Sequence, residues 1–359
     1  MVVDLALVGF GNVARRFVRL LEERRQLLND KYDLRWRIVG IATRRHGAAC
    51  DPQGLDALGA AQHVERGLCL GDDSAASRVH HASGSAAIID ALAASQGPRR
   101  VMIETTTLDI AAGQPAIDHV KTALAAGCDV VTANKGPAAF AYRELTDLAA
   151  RHGVSFLFEG AVMDGVPVFN FVRETLPAVS IVGFRGVVNS TTNHILTALE
   201  DGEDYDAALA RMQEAGIAEA DPSLDVDGWD AAAKTAALAN VFLDAGITPH
   251  EVDRSGISPT DAERVRGAAA RGARVRLIAA ASRGQRPRVA LTELPASDPL
   301  AGLRGMSNAL VLSTDTLGDI AIIQHDGGLT HTAYALLSDL LTIRSRPGAH
   351  VRAGTEHDA

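Results

Sequence analysis

Residues 5–17 read LALVGFGNVARRF, an apolar run that ends in two glycines and passes straight into a segment with helical spacing up to residue 28. Strand, tight turn and helix in that order place Gly9-Phe10-Gly11-Asn12-Val13-Ala14 as a GxGxxA turn. A lone glycine pair carries little information, but this context is the one a dinucleotide requires. Gly9 permits the turn, Gly11 lets a pyrophosphate approach the backbone, and Ala14 lets helix and strand pack closely. The helix N-terminus then points its free N–H groups at the phosphate charge.

Working outward from that turn, WRIVGIA (36–42), VMIETTT (101–107), CDVVTAN (128–134) and SFLFEG (155–160) read as further strands. The segments 114–126 and 137–152 read as the helices between them, while 43–84 shows no clear period. Strands alternating with helices predict an α/β fold, a Rossmann-type doubly wound parallel sheet. From about residue 160 the pattern changes. IVGFRGVVN (181–189), PRVALTEL (287–294) and ALVLSTD (309–315) read as strands, and 191–201, 204–215 and 229–245 as helices. They predict a second, α+β domain. THTAYALLSDLLTI (330–343) is again helical, and the tail 346–359 is expected to be disordered.

A chain of 359 residues is long for one core, so two domains are expected. A formal net charge of −9 argues against nucleic acid or an anionic membrane as a partner. The N-terminal stretch, with an acid at position 4, makes a poor signal peptide and is too short to span a membrane. Cys50, Cys69 and Cys128 are odd in number and fit no metal spacing, which favours the reducing cytoplasm. After the second strand, where an acid would bind the ribose of NAD, the chain has Thr43-Arg44-Arg45. Arginines there suit the 2′-phosphate of NADP(H); the plain alternative is a solvated loop pair.

The segment EAGIAEADPSLDVDGWDAAAK (214–234) holds six carboxylates and one lysine. Only four lysines occur, Lys31, Lys121, Lys135 and Lys234, against 31 arginines. The ordinary reading makes Asp227 a helix cap and Asp230–Lys234 an exposed i, i+4 pair. Arginine would serve such a pair equally well. Lysine differs where a proton must move, because guanidinium stays charged. The crowded acids Glu219, Asp221, Asp225, Asp227 and Asp230 also call for a bound cation, such as a substrate ammonium group. Lys135 falls in VVTANKGP, at a strand end where ligands sit in open α/β sheets.

Together GFGNVA, TANKGP, NSTTNHIL (189–196) and the acid-rich segment closely resemble the homoserine dehydrogenase family, over roughly residues 5–340. The resemblance implies interconversion of L-homoserine and L-aspartate 4-semialdehyde with NADPH or NADH, in threonine and methionine biosynthesis. It implies Lys234 as the catalytic lysine and Lys135 as a second functional one, and substrate binding by Glu219, Asp225 and Asp230. Gly9, Phe10, Gly11, Asn12, Val13, Arg44, Arg45, Thr105, Thr106, Lys135 and Gly328, with Gly327, would contact the cofactor.

It further implies a dinucleotide-binding domain over 1–158, completed by about 318–345, and a substrate-binding and dimerisation domain over 159–317 that forms a homodimer. The family often carries sodium on a loop matching Glu159, Val162, Asp164 and Val166. Here that loop reads EGAVMDGVP rather than a glycine-rich stretch, and Asp164 either strengthens the ion site or replaces it. About 16 residues follow Ile343, too few for the family's C-terminal regulatory domain, so insensitivity to threonine is expected.

Three rivals remain at this point. Aspartate-semialdehyde dehydrogenase needs a thiol nucleophile, and none of the three cysteines is placed for attack. A non-catalytic NADP-binding regulator has no use for both lysines and the acids. A reductase of another small amino-acid aldehyde would share the site.

Overall fold

The computed structural model describes residues 2–70, 80–81, 84–214 and 221–346. The described residues form two compact units, one drawn from 1–137, 143–165 and 329–359, the other from 138–142 and 166–328.

The first unit contains β1 (Val2–Val8), α1 (Asn12–Glu23), α2 (Arg25–Tyr32), β2 (Arg35–Ala42), β3 (Ala48–Cys50), α3 (Ala57–Glu65), β4 (His80–His81) and α4 (Gly84–Ala94). It continues through β5 (Arg99–Glu104), α5 (Ala116–Ala125), β6 (Asp129–Thr132), most of α6 (Lys135–His152) and β7 (Phe156–Leu157). Its sheet runs β4-β3-β2-β1-β5-β6-β7. The strands from β2 to β7 pair in parallel, and β3 and β4 add an antiparallel edge. The expected parallel, doubly wound sheet is present. The segment 43–84 is a correction: it holds β3, α3 and the short β4 rather than an irregular loop.

The single helix expected over 12–28 breaks at Arg24 (φ −104°, ψ 6°) into α1 and α2. On α1, Phe17, Val18, Leu20 and Leu21 make one buried stripe, whereas α2 buries only Leu28. Phe17 is fully buried, a contribution of about 1.5–3 kcal/mol. The same core takes in Leu336, Leu337, Leu340 and Ile343 of the helix Leu329–Ser345, which returns to this unit.

The second unit contains α7 (Val168–Thr175), β8 (Ile181–Val187), α8 (Ser190–Glu200), α9 (Tyr205–Glu214), α10 (Ser223–Val226), α11 (Trp229–Leu243), β9 (Asp253–Arg254) and α12 (Ala262–Ala270). β10 (Arg274–Ser282), β11 (Arg288–Leu294), β12 (Asn308–Thr314) and β13 (Asp319–Gln324) follow, before the returning helix α13 (Leu329–Ser345). Its sheet runs β13-β12-β8-β10-β11-β9 and is antiparallel apart from the short β9–β11 pairing. Because β13 pairs with β12, the chain leaves this sheet only after Gln324 and rejoins the first unit at Leu329, not near 318.

β10 and α12 had no counterpart in the sequence reading. β10 escaped because it begins with Arg274 and Arg276 and so does not read as apolar, although Arg276 is fully buried and paired with Glu200 of α8. The expected disorder of 346–359 and the candidate Glu219 lie outside the described residues, save for Arg346, whose carbonyl accepts from Arg99.

Candidate active site

In the first unit the glycine turn is fixed by its neighbours. Gly9 sits at φ +86°, and a Cβ there would lie 2.7 Å from both the Thr105 carbonyl carbon and the Thr106 nitrogen. The Thr105 hydroxyl donates to the Gly9 carbonyl (2.8 Å) and the Gly9 N–H to the Ala42 carbonyl (3.0 Å). At Gly11, by contrast, a Cβ would meet nothing within 4 Å. The space a pyrophosphate needs therefore lies open over that residue. α1 begins with no side-chain cap and no acid in its first turn, which leaves its N-terminal N–H groups for an anion.

A cavity of about 830 Å³ opens at the carboxyl ends of β1, β2 and β5. Gly9, Phe10, Gly11, Arg44, Arg45, Thr105 and Thr106 all line it, as the sequence predicted. Asn12 and Val13 start α1. A nicotinamide dinucleotide fits these residues: open backbone at Gly11, an uncapped helix start, and two arginines on the wall.

The sequence reading missed Arg15, His46 and His119, which line the same cavity. The Arg15 guanidinium lies over the turn, donating to the Phe10 carbonyl (3.0 Å) and the Asn12 Oδ1 (2.7 Å). Its place one helical turn after Gly11 was a usable signal. The His119 Nδ1 is buried without a partner among the described residues, and burial lowers the pKa of the ring, partly opposed by Asp118.

Lys135 is the first residue of α6, half-buried, and follows Asn134, whose Oδ1 caps the helix by accepting from Gly136 N–H (2.8 Å). Behind these loops lies Glu104, fully buried. Its carboxyl accepts from Thr106 N–H (2.9 Å), the Thr106 hydroxyl and the Thr132 hydroxyl (2.7 Å). Burial pushes its pKa up against these hydrogen bonds.

In the second unit two of the five acids, Asp225 and Asp230, converge with Lys234. The Asn189 amide donates to both Asp225 (2.7 Å) and Asp230 (2.9 Å), and the Thr191 hydroxyl donates to Asp225 (2.9 Å). Lys234 Nζ lies 2.6 Å from the Val188 carbonyl and 3.0 Å from Asp230 Oδ2. The Lys234 and Asp230 side chains are only 14% and 13% exposed, so the surface-pair reading fails. Burial, then repulsion from Asp230, raises the Asp225 pKa, while Asn189, Thr191 and Lys234 pull it down. Asp227 does not cap α11; Gly228 does, at φ +80°, and Asp227 ends α10. Asp221 is exposed and accepts from Ser223 N–H. Asn189, Thr191 and Val188 belong to the NSTTNHIL motif or flank it, yet their bonds to the acids were not foreseen.

On the loop considered for sodium, Glu159 is buried and its N–H donates to Asp339 (2.8 Å). Asp164 holds a left-handed backbone (φ +47°) and accepts from the Thr332 hydroxyl of α13 (3.1 Å). The Val166 carbonyl accepts from Val168 N–H. Gly328 directly precedes α13, with φ 157°. Among the described residues, no group of three or more His, Cys, Asp or Glu side chains converges to hold a metal, and no helix is long and apolar enough to cross a membrane. Burial raises the pKa of the Cys50 thiol and pushes that of Cys128 up to about 11, leaving Cys128 protonated at neutral pH.

The family described as "Homoserine dehydrogenase, NAD binding domain" matches residues 9–159, and "Homoserine dehydrogenase" matches 167–341. The NAD(+)-dependent homoserine dehydrogenase of Pseudomonas canavaninivorans is 35% identical, with 94% of this chain and 95% of the relative covered. That of Methanocaldococcus jannaschii is 34% identical, with 95% and 98% covered. Among solved structures, a hyperthermophilic archaeal homoserine dehydrogenase in complex with NADPH superimposes with a TM-score of 0.78 at 28% identity, over 97% of this chain and 99% of that one. The enzyme from Thiobacillus denitrificans gives 0.78 at 28% identity, over 96% and 73%.

Proposed function

Because the chain belongs to the homoserine dehydrogenase family, we propose that it interconverts L-homoserine and L-aspartate 4-semialdehyde through Lys234 as proton donor and acceptor. Asp225 and Asp230, with Glu219, serve as the partners of the substrate ammonium. When bound, the nicotinamide supplies or accepts the hydride. The chain's part is to hold the substrate and move one proton. In the reducing direction the carbonyl carbon gains a hydride and its oxygen becomes an alkoxide, which takes a proton from the Lys234 ammonium. In the oxidising direction the amine form of Lys234 takes the hydroxyl proton.

One observation carries this assignment. A single Asn189 amide holds both Asp225 and Asp230, and Asp230 pairs with Lys234, in a half-buried setting that a mere surface pair has no reason to occupy. Lys135, at the carboxyl end of β6, takes the second, electrostatic role.

The cavity walls at Arg44 and Arg45 support NADP(H) as the preferred cofactor, with NAD(H) used less well. The two relatives differ on this point, since one is named for NAD(+) and the other structure holds NADPH. No metal is strictly required, because the Asp164 carboxylate already takes a hydrogen bond that ties its loop to α13. Loss of turnover on dialysis, restored by sodium alone, would contradict this. The odd count of three cysteines fits a cytoplasmic setting. The apolar Ile323, 43% exposed on the edge strand β13, supports a homodimer formed through the second unit, which light scattering would test.

The direct test of function is homoserine oxidation by the purified protein with NADP⁺ and NAD⁺, beside phosphate-dependent oxidation of the semialdehyde and a panel of other amino-acid aldehydes. Homoserine turnover supports the reading. Turnover only of the semialdehyde with phosphate, only of another aldehyde, or of none refutes it.

A further inference from the structure

We propose that Glu104 is a positioning residue that locks the cofactor-seating glycine turn to the start of the helix bearing Lys135. The inference rests on the roles given above to that turn and to Lys135. Every residue involved lies in the first unit.

The links form a continuous chain. Gly9 has no Cβ because Thr105 and Thr106 occupy that space, and the Thr105 hydroxyl is bonded to the Gly9 carbonyl. Thr106 is held by both its N–H and its hydroxyl on one oxygen of Glu104. The other oxygen of Glu104 takes the Thr132 hydroxyl at the end of β6. Thr132 in turn accepts from Asn134 N–H (2.9 Å), and the Asn134 amide donates back to the Thr106 carbonyl (2.9 Å). Asn134 is the cap of α6, and the next residue is Lys135.

The choice of residue type is informative. Among the described residues Glu104 has no ion-pair partner, so burying its charged form carries a cost that only hydrogen bonds offset. Three donors face it. An ionised carboxylate accepts all three, because it carries acceptors only. A glutamine would turn an N–H₂ group toward Thr132 Oγ1 and leave the Thr132 hydroxyl proton without its acceptor. A residue needed only to fill space between β5 and β6 would be apolar. The network also lies at the carboxyl ends of the central strands, where an open α/β sheet places its ligands.

The test uses the full-length protein carrying Glu104→Ala, Glu104→Gln or Thr132→Val. NADPH dissociation constant, kcat and melting temperature are read for each. Losing partners for buried donors corresponds to roughly a 5- to 150-fold effect. Glu104→Ala is therefore expected to weaken NADPH binding about tenfold and lower kcat by about 10- to 100-fold. Glu104→Gln recovers most of the binding and less of the kcat. Thr132→Val removes the Glu104–Thr132 bond and the acceptor of Asn134 N–H but leaves Glu104 on Thr106, so it lowers kcat about tenfold while the NADPH constant stays within about twofold.

A folded Glu104→Ala protein with both quantities near wild type overturns the proposal. So does a Thr132→Val protein whose cofactor affinity and kcat fall together, since that is a general loosening. Should Glu104→Ala fail to fold, the other two variants decide. If wild type binds NADPH but turns over no homoserine, the functional reading falls, and the binding results still judge the link from Glu104 to the glycine turn.

Discussion

Replacing Lys234 by arginine separates proton transfer from charge. The lysine Nζ is held at 2.6 Å by the Val188 carbonyl and at 3.0 Å by Asp230. Arginine keeps the positive charge beside Asp230 but cannot give up a proton near neutral pH. A surface i, i+4 pair contributes only about 0.3–0.5 kcal/mol, so under that reading turnover changes by about twofold at most. A proton donor contributes about 10²–10⁴-fold, or about 2.7–5.4 kcal/mol at 1.36 kcal/mol per decade. The two readings thus differ by about 2 kcal/mol or more, well beyond assay error.

Lys234→Ala should lower turnover at least as far and also destabilise, because Asp230 and Asp225 lose their cation in a site largely shielded from water. Breaking a buried pair costs about 3–5 kcal/mol, and partial exposure brings this to about 1–3 kcal/mol. The melting temperature of Lys234→Ala should therefore fall by several degrees while that of Lys234→Arg stays near wild type. The assay is homoserine-dependent reduction of NADP⁺, with NADPH binding and melting curves measured on the same preparations. A folded Lys234→Arg protein that binds NADPH and turns over within about threefold of wild type would refute the mechanism.

Arg44→Ala should raise the KM for NADP⁺ by about 10- to 100-fold, the value of a charge-assisted bond to phosphate, and leave NAD⁺ almost unchanged; equal losses for both cofactors would remove Arg44 from the 2′-phosphate. Gly9→Ala forces a Cβ to 2.7 Å from the Thr105 backbone and should lower the melting temperature, whereas Gly11→Ala should leave it unchanged and abolish NADPH binding; a Gly11→Ala protein that binds NADPH normally would mean the pyrophosphate sits elsewhere. Asp225 has a raised pKa, so its contribution to stability is fully present below its unfolded value near 3.8 and is lost as pH rises through the folded one. Asp225→Asn should therefore raise the melting temperature at neutral pH, with the gain fading in acid, and raise the homoserine KM about 10-fold or more; an unchanged KM would detach Asp225 from the ammonium. For wild type, homoserine KM should climb as pH falls through the raised Asp225 pKa, a shift that a pH series of initial rates would detect.

The sequence by itself determined the first sheet's class and the cofactor turn, because both are local. A GxGxxA turn between strand and helix constrains backbone conformation within six residues, and no distant contact is needed to read it. It also singled out Lys135 and Lys234, since four lysines among 31 arginines leave a compositional mark. The motifs were specific enough to identify the family. Tertiary structure decided what those residues touch. That Asn189 bridges Asp225 and Asp230 depends on α8 meeting α10 and α11, a pairing 36 and 41 residues apart in the chain. Arg276 made β10 look polar, and only its burial against Glu200, 76 residues away, shows it to be core. Glu104 looks like the end of an apolar strand until Thr132, 28 residues on, is brought beside it. Backbone conformation and local periodicity act over a few residues, whereas the partners of buried polar groups are chosen by long-range packing, which a single chain of letters does not encode position by position.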